Sequence, residues 1–310
     1  MEFERGRTSP VGRPRVLISI YSGVMEAATQ TVKVRDIEVH VVRVGRGSPL
    51  VVCGGPQLGH PYLRSLDALS DEREVVYYDS RGSGRTEVGD PAQLTFAGAV
   101  EDLEGLREAL GIERFTILGH SLGGHTSYLY ASRHPAHVES LILVDVGPPL
   151  TRELARQLGA AMRAQRTAAD DADLQRIGAS AAFQAREPKA VEAYILNIYA
   201  PFFRDRSTIA TVDLGFTEIT AANVAEYEDR LVATLADQDP LESLSRISCP
   251  TLVVHGEVDP IPLEFSRFLA DRIPGAQLVV IPGASHFPFI EDRDAFQRTV
   301  KEFLAKLREI

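Results

Sequence analysis

The run Gly119-His120-Ser121-Leu122-Gly123-Gly124 carries a serine with glycines two positions before and two after it. It follows the apolar stretch 115–118 and precedes a helix-forming stretch, so the serine falls on a turn from strand to helix. Such a turn strains the serine backbone and leaves no room for side chains at the flanking positions, which is the reason for the glycines. The hydroxyl then stands clear of the sheet at a helix N-terminus, where oriented N–H groups favour the negative charge that develops in acyl transfer. A serine attacks only if a base takes its proton, and the base needs a carboxylate to orient it. His286 follows the apolar run 278–281 and is the base. Asp145, Glu257 and Asp259 all lie just past apolar runs, at 141–144 and 251–254, and the residues alone leave the choice among them open. The oxyanion needs two N–H donors. Leu122, directly after the serine, supplies one. Gly55 in Cys53-Gly54-Gly55-Pro56 supplies the other, because Pro56 has no N–H and glycine lets the backbone approach closely.

These groups must be held by strand ends. Residues 31–45 alternate apolar and polar side chains about a turn at Arg35-Asp36, the mark of an antiparallel hairpin with one wet face. The runs 49–53, 74–78, 115–118, 141–144 and 251–254 are short and almost wholly apolar, as parallel strands buried on both faces are. Helices fall between them: one presenting Val100, Leu103 and Leu106 and stopping at Gly111, one from 121 to Pro135, one between Pro262 and Pro274, and a last one carrying Phe296, Val300 and Phe303. This alternation predicts a mostly parallel, doubly wound α/β sheet. Residues 30–147 and 244–310 form that core. Residues 148–243 read as helices at 152–167, 171–185, 188–199 and 223–236 with no strand among them, an inserted cap. Tyr194, Tyr199, Phe202 and Phe203 either line a pocket or fill the cap's own core, and the core is the reading preferred. Residues 1–29 are read as an N-terminal extension without regular structure rather than a signal peptide.

The formal charge of −10, from 33 basic and 43 acidic residues, sets the chain against polyanions, so no nucleic-acid partner is expected. No apolar run is long enough to span a membrane. Cys53 and Cys249 sit in strand-like segments and are read as buried reduced thiols, which points to the cytoplasm. His40, His60, His125, His134 and His137 lack metal-ligand spacing, and His120 reads as a neighbour of the serine turn. No metal or cofactor is expected.

Cys53-Gly54-Gly55-Pro56-Gln57, followed by Pro61-Tyr62-Leu63, resembles the H-G-G-P-G loop and Tyr-Leu segment of proline iminopeptidase-like enzymes of the α/β-hydrolase superfamily. Asp79-Ser80-Arg81-Gly82-Ser83-Gly84-Arg85-Thr86 is similar to their D-Q-R-G-x-G-x-S stretch. Cys53 stands where that family has histidine, Gln57 where it has glycine, and His120 and Leu122 where many of its peptidases read Gly-Gly-Ser-Trp-Gly. The resemblance extends from about residue 31 to 310. It implies the α/β-hydrolase fold, with about eight strands, an antiparallel N-terminal hairpin and an inserted helical cap. It also implies the order Ser121, Asp259, His286, which selects Asp259 as the acid.

The chemistry expected is cofactor-free hydrolysis of a small-molecule ester or amide through an acyl-enzyme, as in a carboxylesterase or a proline iminopeptidase-like enzyme. Release of an N-terminal proline would require cap carboxylates to hold the amine, and Glu192, Asp213, Glu218, Glu226 and Glu228 are the candidates. The same triad also serves acyl transfer, perhydrolysis or carbon–carbon bond hydrolysis. A non-catalytic small-molecule receptor is the alternative from another class. Oligomeric state is not legible in the sequence.

Overall fold

A computed structural model describes residues 27–55, 57–147, 152–234 and 240–307. Eight strands form one sheet: β1 (Ala27–Val34), β2 (Ile37–Val44), β3 (Pro49–Cys53), β4 (Glu74–Tyr78), β5 (Phe115–His120), β6 (Val138–Val144), β7 (Thr251–Gly256) and β8 (Gln277–Ile281). Their order is β1-β2-β4-β3-β5-β6-β7-β8. β2 pairs antiparallel with both β1 and β4, and every other pairing is parallel. The chain winds one way from β3 to β4 and the other way from β5 onward, so the loops after β3 and β5 diverge. A crevice opens between them at the C-terminal edge, where α/β sheets place their sites. Cys53 pairs with Gly119 at that point.

The apolar runs are continuous because both faces of the sheet are covered. Val51, Ile117, Leu141 and Leu143 enter one core with residues of α1 (Phe96–Ala109), α2 (Leu122–Arg133) and α9 (Leu263–Arg272). Their chain neighbours Leu50, Val52, Leu118, Ile142 and Val144 enter the other, with Phe296, Val300 and Phe303 of α11 (Arg293–Lys306). A 3₁₀ helix over His60–Leu69, absent from the sequence reading, also packs there. Its Leu63, Leu66 and Leu69 recur every three residues, the period at which 3₁₀ side chains eclipse, and all are buried.

Between β6 and β7 lie α3 (Arg152–Ala164), α4 (Ala168–Gly178), α5 (Ala181–Gln184), α6 (Pro188–Tyr199), α7 (Glu218–Thr234) and α8 (Pro240–Ser245), with no strand among the described residues. The helix expected over 171–185 is two pieces, because Thr167 and Ser180 each cap a new N-terminus. α7 starts at Glu218, five residues ahead of the expected 223. β1 takes in residues 27–29, which the sequence reading gave to the extension. They pair with Val44, Arg43 and Val42. The rest of the expected extension and the first cap residues, 148–151, lie outside the described residues.

Candidate active site

Ser121 has φ 53° and ψ −125°, a conformation that costs energy outside glycine. Its N–H donates to the Val144 carbonyl at 3.0 Å, and its own carbonyl accepts from Gly124 N–H at 3.0 Å. The flanking glycines answer to close packing. A Cβ on Gly119 would stand 2.3 Å from Ser127 Oγ, and one on Gly123 would stand 2.1 Å from the Cys53 carbonyl oxygen. The serine turn is thus clamped between α2 and the loop after β3.

His286 and Asp259 meet as expected. Asp259 Oδ2 accepts from His286 Nδ1 at 3.0 Å, and both side chains are buried. Asp259 Oδ1 accepts from Ile261 N–H at 2.9 Å. Burial alone would raise the Asp259 pKa, but the His286 ring and its hydrogen bond outweigh it and hold the group below the usual carboxylate range. The Ser121 hydroxyl, half-buried, makes no hydrogen bond to the imidazole. The serine and histidine segments are linked one residue earlier, where His120 Nε2 donates to the His286 carbonyl at 2.9 Å. Catalytic contacts of this kind are commonly loose before substrate arrives.

Of the other two carboxylates, Glu257 is exposed and accepts from Gly283 N–H at 2.8 Å. Asp145 is fully buried at φ 49° and accepts from Gly256 N–H at 2.8 Å. Its other oxygen has no N–H donor, and it stands against Asp259. Two carboxyl groups share such a contact only if one is protonated. Burial, reinforced by the Asp259 charge, pushes the Asp145 pKa well up, while the same neighbourhood holds Asp259 down, so of the two Asp145 is the carboxyl that takes up a proton more readily. The two acids that the sequence offered as rivals are therefore partners.

A cavity of about 10 Å³ adjoins the serine, room for a single oxygen-sized atom or water. It is lined by Gly55, Leu58, Tyr62, His120, Ser121, Leu122, Tyr199 and Phe287, none of which carries a charged side chain at neutral pH. His120 is fully buried, and its pKa falls to about 3 because burial penalises the charged ring and His286 adds to the effect. Leu122 opens α2, where its N–H has no helical partner. Gly55, the other expected donor, lines the cavity, but its N–H donates to the Tyr62 hydroxyl at 2.9 Å. Sequence reasoning passed over Tyr62 as more than a family marker. Nothing in the spacing of Gly55 and Tyr62 announces a side chain folding back onto the glycine loop.

The cap aromatics divide. Tyr194 packs on Phe183 within the cap, as expected. Tyr199 lines the cavity, Phe203 stacks on Phe287 at 4.4 Å, and Phe202 meets the His286 ring edge-on at 4.9 Å. Of the carboxylates considered for an amine, Asp213 is exposed and accepts from Gly215 N–H, Glu218 is exposed, and Glu192 is half-buried away from the cavity lining. The side chains of Glu226 and Glu228 lie outside the described residues.

Among the described residues two clusters hold metal-ligand side chains, His40-His60-Asp79 and Asp145-His255-Asp259. In the first, Asp79 already accepts from His60 N–H, His60 Nδ1 and Arg85 N–H, at 2.8, 2.8 and 2.9 Å. In the second, Asp259 serves His286 and His255 Nδ1 is hydrogen-bonded to Ser266 Oγ at 2.9 Å. Both thiols, Cys53 and Cys249, are free and buried. Among the described residues no helix is long and apolar enough to cross a membrane.

Residues 49–293 match the model of the alpha/beta hydrolase fold family. The chain is 26% identical over 261 residues to a proline iminopeptidase of Thermoplasma volcanium, covering 82% of this chain and 87% of that protein. It is 28% identical over 283 residues to one of Lactobacillus acidophilus, covering 86% and 94%. Among solved structures, proline iminopeptidase from Mycobacterium smegmatis is similar at TM-score 0.65 and 26% identity, over 90% of this chain and 98% of that one. The enol-lactonase from Burkholderia xenovorans LB400 is similar at TM-score 0.62 and 25% identity, over 89% and 99%.

Proposed function

Since the chain belongs to the alpha/beta hydrolase family and is a hydrolase, we propose that it cleaves esters or small amides of uncharged acyl groups through Ser121, His286 and Asp259. The observation that carries this reading is a serine at φ 53° over a cavity without charge, whose chain neighbour His120 is bonded to the carbonyl of a histidine already bound to a buried carboxylate. With Nδ1 of His286 held by Asp259, Nε2 is the nitrogen left to take the serine proton. Ser121 Oγ attacks the carbonyl carbon, and the carbonyl π electrons move to oxygen. Collapse of the adduct expels the alcohol or amine, which receives the proton from His286. Water, deprotonated by the same nitrogen, then releases the acid and frees the serine. Asp259 balances the imidazolium that forms twice in the cycle. The chemistry needs no cofactor.

The curated proline iminopeptidases favour a second reading, release of an N-terminal proline. A free amine calls for a carboxylate beside the reacting centre, and the cavity lining has none among the described residues. Turnover of a p-nitrophenyl ester series set against prolyl and alanyl arylamides, for the wild type and Ser121→Ala, tests both readings. Esters of small neutral acids are expected to be the better substrates, with a loss of about ten-thousand-fold or more in the variant. Faster prolyl release would establish the second reading, and full activity in Ser121→Ala would remove the serine from the site.

A further inference from the structure

The expected second oxyanion donor is already engaged. Gly55 N–H points at the Tyr62 hydroxyl oxygen, 2.9 Å away, and that oxygen is 3.2 Å from His120 Nδ1. The proton positions follow from the partners. The His286 carbonyl can only accept, so His120 carries its hydrogen on Nε2. His120 stays neutral, so its Nδ1 presents a lone pair. Tyr62 therefore accepts from Gly55 and turns its own O–H toward His120. Tyr62 and its partner His120 both line the same one-atom cavity as Ser121 and Leu122.

We propose that the Tyr62 hydroxyl, braced by the Gly55 N–H, is the second donor to the oxyanion formed on Ser121, with Leu122 N–H as the first. This rests on the serine-hydrolase reading above and names a catalytic residue within it. The brace polarises the phenol, since a hydroxyl that accepts one hydrogen bond donates a stronger one. Burial pushes the Tyr62 pKa well up, so the group keeps its proton to give. The ring is held by His120, Phe287 and Phe289, at centroid distances of 5.7, 6.2 and 6.4 Å. Rotation about the C–O bond would turn the proton from the neutral imidazole, a long partner at 3.2 Å, toward a full negative charge in that cavity. Hydrogen bonds to ions are roughly twice as strong as those between neutral groups. A direct role for Gly55 N–H would instead require breaking its 2.9 Å bond in a buried loop.

The two arrangements predict opposite results for Tyr62→Phe. If the hydroxyl is the donor, kcat for a p-nitrophenyl ester falls by about 100- to 1,000-fold with little change in KM. If Gly55 is the donor, removing the hydroxyl frees its N–H, and kcat is kept or rises, which overturns the proposal. A fall caused by misplacement alone is separated by comparing each ester with its thionoester, whose sulfur accepts hydrogen bonds weakly. The oxygen-over-sulfur preference shrinks in the variant if Tyr62 touches the oxyanion, and an unchanged preference also overturns the proposal. Should Tyr62→Phe not fold, fluorotyrosine at position 62 gives the same readout, because a more acidic phenol raises that preference. Fluorophosphonate labelling of wild-type Ser121 is run alongside. No adduct would sink the serine-hydrolase reading itself, whereas a labelled serine with unaltered Tyr62→Phe kinetics sinks only the role of Tyr62.

Discussion

Two regions at the C-terminal edge of the sheet hold a buried histidine–aspartate pair of nearly the same length. After β3 and β4, His60 Nδ1 and Asp79 Oδ1 are 2.8 Å apart; after β7 and β8, His286 Nδ1 and Asp259 Oδ2 are 3.0 Å apart. The first pair is closed on itself. Asp79 also accepts the backbone N–H groups of His60 and Arg85, so the carboxylate ties the glycine loop's extension to the loop after β4. Nearby, Arg81 clamps Asp102 of α1 and Asp36 of the β1–β2 turn, and Gly84 N–H donates to Thr220 of α7 at 2.9 Å. The stretch that most resembles a known family is therefore scaffold. The second pair is joined to the serine turn through the bond from His120 to the His286 carbonyl, has a one-atom cavity beside that serine, and has behind its carboxylate a second acid whose pKa is pushed up. Both carboxylates are engaged, Asp79 by two backbone N–H groups and Asp259 by the Ile261 N–H, so pair geometry alone does not make a base; what sets the second pair apart is the cavity beside Ser121.

Paired substitutions break or sharpen this contrast. Asp259→Asn is expected to lower kcat for an ester by about ten-thousand-fold, with the melting temperature little changed, because the amide favours the wrong imidazole tautomer. Asp79→Asn should do the reverse. Its amide N–H groups would face backbone N–H donors, costing about 3 kcal/mol of unfolding free energy in urea melts, while kcat per folded molecule stays near wild type. Equal kinetic losses in the two variants would erase the distinction.

A smaller effect concerns His120, the residue that joins the serine turn to the His286 loop. Its pKa is about 3 in the folded protein and near 6.5 in an unfolded chain. Across that window the unfolded chain binds a proton that the folded one does not. Stability is therefore fully present above about pH 6.5 and is lost as the pH falls toward 3. In His120→Gln the slope of unfolding free energy against pH between 4 and 6 should shrink by up to about 1.4 kcal/mol per pH unit, read from urea titrations. A slope equal to wild type would mean that the ring is not held neutral.

The least disturbing change is expected at Asp145. Asp145→Asn keeps an oxygen for Gly256 N–H and puts an N–H donor toward Asp259, so kcat should stay within about tenfold of wild type and stability within about 1 kcal/mol. Asp145→Ala strands both partners and should cost about 1–3 kcal/mol. A loss in Asp145→Asn as large as in Asp259→Asn would show that Asp145 works as a charge.

Much of this was legible along the chain. Continuous apolar runs announced buried parallel strands, since residues covered on both faces leave no alternation to see. The glycines around Ser121 announced the strained strand-to-helix turn that the structure has there, because such a turn admits few residue types. What stayed hidden was pairwise and distant. The approach of Asp145 to Asp259 spans more than a hundred residues, and their opposite pKa shifts arise only because burial removes water from both. The engagement of Gly55 by Tyr62 likewise depends on a 3₁₀ helix that turns a ring back over the loop it leaves. Residue type and spacing thus determined which groups could react, while tertiary packing decided which carboxyl is pushed up, which is held down, and which N–H is already engaged. All of these depend on distance and solvent exclusion, quantities the order of residues does not contain.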